Sequence, residues 1–413
     1  HLSIRRQRQM CIRDRIWACK PEADALLQKV IDTFTCGDVE VGDFRYCGKE
    51  VHQDDDFTIT VTCRDTTMKI EPIQVRPGRK NCQKLDDTEK SQLKSVAGSL
   101  QWIARQVRPE LDYRTSKVQQ LATTGLVADI KFLNKLVRSA KETATRGLTF
   151  RSDVLDWQKL AQGVVTDASH ANECEVGLHS DGTPKTEAHR SQGGRLILLC
   201  NDDEIEGDQI RGHLLGHSST TVKRVCRSTV QAEAYSLSNG VEEGDRIRAA
   251  IADIHNKLDY RAWEATAAAF MRQIWFTDCR SVKDTLCKVV PTKASDKRLS
   301  IELMALRQNL WREKGEALGN PAVRDDVPED ATDKVRWIDT DVMVADPLTK
   351  SMEPDKLVTL LDTNSWSLVQ PVESVLKKRA KQQSRRKEYK TWEVCPTDPP
   401  HNIDTKNIME ELQ

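Results

Sequence analysis

The 413-residue chain lacks net charge, because 63 Lys and Arg balance 63 Asp and Glu. A nucleic-acid surface must then come from local charge separation, since no global basic excess is present. Aromatic residues are scarce at 5%, and hydrophobic residues reach only 38% against 31% charged. That balance argues against one large core and for compact domains joined by polar segments. No run comes near the roughly 20 apolar residues of a membrane span. The 12 cysteines include no Cys-x-x-Cys pair. His170 lies close to Cys174, yet no second pair completes a zinc knuckle. Scattered cysteines in so long a chain read as reduced, mostly buried thiols and point to an intracellular setting. Residues 1–19 are basic, have no apolar centre and lack an initiating Met. They are not a secretory signal and are expected to be non-native or disordered.

What is present divides into stretches. Residues 20–75 hold one helical segment, Ala23 to Phe34, and short alternating segments such as Phe57 to Val61. From 84 to 150 the pattern is helical: Leu93, Val96, Ala97, Leu100 and Ile103 form one stripe, Arg108-Pro109 breaks it, and Phe132, Leu133, Leu136 and Val137 repeat it. Between 160 and 352, apolar strands alternate with helices. GVVTDAS, GGRLILLC and RGHLLGHS read as three strands, and a helix covers Arg227 to His255. RQIWFTD is a fourth strand, helices cover Ser281–Val289 and Lys297–Trp311, KVRWIDT is a fifth strand, and DPLTKSM opens a last helix. This order predicts an α/β sandwich on a mixed sheet. Residues 353–413 form a tail with eight basic residues and one acid between Lys377 and Lys390. A solvated, mostly disordered charge run is the plain reading, and a nucleic-acid or nuclear-import handle the sharper one.

Four acids stand out by position. Asp167 and Asp278 end apolar strands, where α/β sites usually lie. Glu233 falls between Val230 and Leu237 on the helix stripe that should face the sheet, where a carboxylate is costly unless a cation or donors compensate. Asp346 opens a helix just after the fifth strand. Each has a bland alternative: a turn residue for Asp167, an ordinary N-cap for Asp278, and an N-cap followed by Pro for Asp346. Chemistry would want them together, because magnesium is a hard cation held by carboxylates, water and phosphate, and two such ions about 4 Å apart can clamp both oxygens of a phosphodiester displacement.

The words around these acids resemble copia-type retrotransposon Pol polyproteins. GVVTDASHA resembles the strand carrying the family's first acid. SSTTVKRVCRSTVQAEAYSLS resembles the segment with the helix acid, and WFTDCRSVKDTL the element with the third. VRWIDTDVMVADPLTKSM resembles the block with the fourth. LKSVAGSLQWIARQVRPELDYRTSKVQQL is similar to the link between polymerase and nuclease, and GDVEVGDFRYCGKEVHQ to the end of the polymerase. The likeness spans roughly residues 20–355. It implies a reverse-transcriptase remnant over 20–83, a helical connection region over 84–155, and a ribonuclease H domain over 160–352 with a five-stranded mixed sheet flanked by helices. It further implies hydrolysis of the RNA strand of RNA–DNA hybrids with two Mg²⁺ ions, or Mn²⁺. Asp167 would bridge both ions, Glu233 and Asp278 would complete the one near the leaving group, and Asp346 would hold the other. The hybrid would be recognised by groove shape and sugar hydroxyls, with Lys223 and Arg227 as candidate phosphate contacts or else plain solvated surface. The rest of the polyprotein, polymerase and integrase, would be the partners. A virus-like particle in the cytoplasm, or the nucleus, would be the location, with no membrane.

The chain also departs from that family. The polymerase's Tyr-x-Asp-Asp motif is absent, and Asp54-Asp55-Asp56 follows His52-Gln53 in what should be a hairpin turn, so it reads as a solvated loop and no polymerisation is expected. Arg298 and Glu302 stand where His and Asp are usual. No histidine lies between His255 and His401 to assist product release. The loop from Cys174 to His189 is longer than expected. A decayed fragment that binds nucleic acid or serves only as a connection module is the alternative. A third reading is an integrase, which uses two Asp and then a Glu; the order Asp, Glu, Asp, Asp and the absence of a His/Cys zinc-binding N-terminus argue against it.

Overall fold

The computed structural model describes residues 16, 24–34, 39–122, 125–178, 184–288, 296–322, 324 and 326–370, and for 173–178 and 184–189 the backbone alone. Residues 1–15 and the basic stretch Lys377–Lys390 lie outside this set.

The described elements begin with helix α1 (Asp24–Thr33) and a small antiparallel sheet of β1 (Asp43–Tyr46), β2 (Lys49–Gln53) and β3 (Ile59–Thr62). Asp54, Asp55 and Asp56 are exposed in the β2–β3 hairpin, as a solvated turn requires. Short helix α2 (Arg64–Met68) leads to α3 (Asp87–Val107). Asp86 and Glu89 start α3 with a capping box, each side chain satisfying one otherwise orphaned backbone N–H of the first turn. The helix ends where Pro109 follows Arg108, since the residue before proline is driven out of the helical region. Helices α4 (Asp112–Leu121) and α5 (Val127–Glu142) complete the bundle, and β4 (Leu148–Phe150) returns to pair with β3. Of the expected stripe, Leu93, Ala97, Leu100 and Ile103 are fully buried against Ile130, Leu133 and Val137, and Val96 is half-buried at its margin. Phe132 is 40% exposed; it sits one residue off the stripe that Leu133, Leu136 and Val137 share, and a helix turns about 100° per residue.

The second sheet follows: β5 (Leu160–Leu178), β6 (Pro184–Asn201), β7 (Gln209–Thr221), helix α6 (Thr229–Ile254), helix α7 (Trp263–Phe270), β8 (Gln273–Thr277), helices α8 (Arg280–Cys287) and α9 (Lys297–Leu310), β9 (Lys334–Trp337), helix α10 (Asp355–Thr363) and β10 (Ser365–Ser367). Its strand order is β10-β7-β6-β5-β8-β9. β10, β7, β6 and β5 pair antiparallel, whereas β5, β8 and β9 run parallel. The sheet is therefore mixed, with helices packed against it, and it has six strands where the sequence predicts five. The sixth, β10, is a three-residue strand that follows the last helix directly and carries too short a pattern to be read from sequence.

Alternation along the strands builds two cores. Leu196, Leu198 and Phe276 face one side with Leu357, Leu360 and Trp366. Ile197, Val164 and Trp275 face the other, with Ala234, Leu237, Leu303 and Leu306. This is the two-residue period of a strand covered on both faces, and each fully buried aliphatic side chain contributes roughly 1.5–3 kcal/mol. Glycines let α6 sit close: a Cβ at Gly240 would stand 2.6 Å from Thr166 Cγ2 on β5. The expected long loop 174–189 is instead an extension of the β5–β6 hairpin, paired from Cys174↔Ala188 to Leu178↔Pro184. Its polar composition hides this, because antiparallel pairing needs no burial.

The helical bundle is fastened to β7. Asp112, fully buried, accepts hydrogen bonds from Ser219 N at 2.9 Å and from the Gln101 amide. His217 Nε2 lies 2.9 Å from the Ala104 carbonyl. The described residues up to Leu368 belong to one compact unit. Cys47, Cys63, Cys82, Cys200, Cys226, Cys279 and Cys287 are free thiols. No helix among the described residues is long and apolar enough to cross a membrane.

Candidate active site

Three of the four acids converge. Asp167, Glu233 and Asp278 each offer a carboxylate oxygen within 4.8 Å of the others, although 111 residues of chain separate the first from the last. Three elements deliver them. Asp167 lies within β5, opposite Gly194 of β6. It is not at the end of the strand, as its position after an apolar run suggests, because β5 continues into the polar stretch beyond it. Glu233 projects from the first turns of α6, whose N-terminus is capped by the Ser228 hydroxyl. Asp278 leaves the sheet one residue after β8. Ser236, one turn beyond Glu233, donates to the Asp167 carbonyl at 2.9 Å and so pins helix to strand.

The bland alternatives fail on geometry. Asp167 is 1% exposed within a paired strand and is no turn residue. Helix α8 has Cys279 at its N-cap with no side-chain cap. The Asp278 carboxylate instead accepts from Thr340 Oγ1 at 2.7 Å, and Trp337 Nε1 donates to its backbone carbonyl at 2.9 Å. Asp346 does not cap a helix either. It is the first residue of a 3₁₀ turn, Asp346–Leu348, with Ala345 at the N-cap, and the last helix begins only at Asp355.

Asp346 is not one of the converging three. Its Oδ1 lies 2.6 Å from Lys350 Nζ, which also approaches Asp167 Oδ2 at 3.4 Å. Thr349 donates its hydroxyl to Asp167 Oδ2. Thr340, Thr349 and Lys350 do not stand out in the sequence as site residues, although the last two belong to the Ala-Asp-Pro-Leu-Thr-Lys block. A lysine four residues after an acid is the one available signal.

Burial dominates the electrostatics. It pushes Glu233 well above the usual carboxylate range, and the charges of Asp167 and Asp278 add to this. Asp167 is raised by burial and then by Asp346, against the opposing pull of Lys350. Asp278 is raised by burial and by Asp167. Burial alone would lower Lys350, but Asp167, Asp346 and Asp278 raise it above its ordinary value. One Glu233 oxygen, Oε2, is buried without a hydrogen-bond partner among the described residues. An orphaned carboxylate oxygen beside two further carboxylates costs free energy in the bare protein and fits a hard divalent cation, which takes oxygen ligands.

Lys223 and Arg227 are exposed just before α6. The Arg227 backbone N–H donates to Gln231 Oε1, and the Arg227 charge acts on Asp296. Glu302 pairs with Arg224 at 2.6 Å and accepts from Ser238 at 3.1 Å, which gives it a structural task away from the acids.

Comparison with protein-family models, with curated proteins and with solved structures finds no match.

Proposed function

We propose that the chain is a divalent-cation-dependent nuclease of the ribonuclease H type, from a copia-type retroelement polyprotein, that hydrolyses the RNA strand of RNA–DNA hybrids. One observation carries this reading: three acids far apart in the chain meet beside the neighbouring strands β5 and β8, and one of their buried oxygens has no hydrogen-bond partner among the described residues. The mixed sheet with helices packed against it, and the order of its first five strands, agree with that fold, although the sheet has a sixth strand.

Asp167, Glu233 and Asp278 would hold the cation, magnesium or manganese, which supplies Lewis acidity and charge neutralisation for phosphodiester hydrolysis. Thr349 and Lys350 orient the Asp167 carboxylate, and Thr340 orients Asp278. The Lys350 side chain remains partly open to solvent, and its ammonium would meet a phosphate oxygen brought to this site. Lys223 and Arg227 would draw the backbone of the hybrid across the N-terminal end of α6. Upstream, the small four-stranded sheet and the helical bundle would be the polymerase remnant and the connection region.

The test is cleavage of an end-labelled RNA–DNA hybrid, with single-stranded RNA and duplex RNA as controls. Hybrid-specific cuts that need Mg²⁺ or Mn²⁺ and that fall by about a thousandfold in Asp167→Asn are expected, the loss of several kcal/mol of charge stabilisation. Cleavage undiminished by Asp167→Asn would overturn the assignment.

A further inference from the structure

We infer that the site takes a single divalent cation, on Asp167, Glu233 and Asp278, and that the ammonium of Lys350 stands as a built-in second cation between Asp167 and Asp346. This rests on the proposed metal site and replaces the pair of ions that the family resemblance implies.

The acids divide into two groups. Asp167, Glu233 and Asp278 bring oxygens within 4.8 Å of one another, and the Glu233 oxygen left without a partner among the described residues lies in that group. Asp346 is outside it. Its Oδ1 is engaged at 2.6 Å by Lys350 Nζ, which also stands 3.4 Å from Asp167 Oδ2. The ammonium thus spans the two carboxylates that a second divalent ion would have to bridge. A further ion there would either displace the lysine or sit in contact with a like charge.

The lysine is held in place by its own segment. Lys350 N donates to the Asp346 carbonyl at 3.0 Å, so the turn that presents the acid also presents the amine. Thr349, between them, donates its hydroxyl to Asp167 Oδ2. That oxygen is therefore shared by a hydroxyl and an ammonium.

Counting Mn²⁺ on the full chain without nucleic acid decides the matter, by calorimetric titration with free Mn²⁺ read by electron paramagnetic resonance. One ion per wild-type chain is expected. Lys350→Met should gain a second, weaker site, and Lys350→Arg should keep one. Asp346→Asn should still bind one ion, with affinity within about tenfold of wild type, which keeps the claim testable if Lys350→Met fails to fold. Two ions on the wild-type chain, an unchanged count in folded Lys350→Met, or loss of the ion in folded Asp346→Asn would each overturn the lysine assignment. A wild-type count of two, with hybrid cleavage intact, leaves the nuclease reading standing. A count of one without cleavage at any Mn²⁺ concentration ends the nuclease reading and leaves the lysine assignment. No bound Mn²⁺ ends both.

Discussion

Asp167 and Gly194 face each other across the β5–β6 ladder, and the space left by the missing side chain of Gly194 is filled by the segment that carries Thr349 and Lys350. A Cβ at Gly194 would stand 2.7 Å from Leu348 Cβ and 2.8 Å from Thr349 Cγ2. No real Cβ tolerates such contacts, so the glycine is what allows the turn to lie flat on β6 and reach the acid on the neighbouring strand.

Gly194→Ala should therefore lift the 346–350 turn away from Asp167. Overpacking of this kind costs about 1–3 kcal/mol, and hybrid cleavage is expected to drop at least tenfold while far-ultraviolet circular dichroism stays unchanged. Gly98→Ala is the matched control. It lies within α3 with open space where a Cβ would go, and it should stabilise by up to about 1 kcal/mol through helix propensity without loss of activity. Equal activity losses in the two variants would contradict this role for Gly194.

Glu233→Gln tests the cost of the buried carboxylate. Glu233 is raised above its ordinary range in the folded chain, by burial first and by its acidic neighbours next. The folded state therefore takes up the proton more readily than the unfolded one, so lowering the pH toward the ordinary carboxylate range relieves strain in the metal-free protein. The same proton competes with a bound cation, so Mn²⁺ affinity should weaken as pH falls. At pH 8 without metal, Glu233→Gln should be more stable than wild type by on the order of 1 kcal/mol. In saturating Mn²⁺ the order should reverse. Paired thermal melts read both signs, and a variant destabilised in the absence of metal would contradict the account.

His213 gives the opposite pH dependence. It is 6% exposed on β7, packs edge-on against Phe150 at 5.4 Å, and burial lowers its pKa from 6.5 to about 4. The unfolded chain binds the proton first. Stability from this group is thus complete above pH 6.5 and is lost as pH falls toward 4, by up to about 3 kcal/mol. Urea denaturation across that window should show wild type losing stability relative to His213→Phe as the solution is acidified. Parallel curves would show that the imidazole does not titrate as argued.

Lys223 and Arg227, exposed before α6, should act on binding rather than chemistry. The double change to Ala is expected to weaken hybrid binding several-fold at 0.1 M salt and to lower the slope of log K against log salt by about 0.7–0.9 for each phosphate no longer neutralised. The cleavage rate at saturating hybrid should stay within about twofold. An unchanged slope would reduce both residues to ordinary surface.

The sequence makes some of this legible and hides the rest for identifiable reasons. Asp278 after IWFT and Glu233 on the inner stripe of α6 can be read from periodicity, because burial of a strand or helix face leaves a regular apolar signal. Asp167 stands out for a reason that proves incomplete. The strand does not stop there, and a polar continuation looks like a loop. Lys350 and Thr349 carry no periodic signal, and their role appears only when the turn is laid across Gly194. Asp112 reads as part of a helix start, and nothing local marks it as the carboxylate that accepts from Ser219 N, 107 residues away.

The short strand β10 covers the outer edge of β7 over Gln209–Arg211, and its Trp366 donates to the Val342 carbonyl at 2.9 Å and meets Phe276 at 5.1 Å. A piece cut at the motif boundaries, 160–352, would discard this cover together with α10. The bared backbone of β7 would then be a template on which strands of other molecules can add. Cloning by homology limits alone would thus convert a folded sheet into the seed of a precipitate, and the segment from Asp355 to Ser367 is the difference.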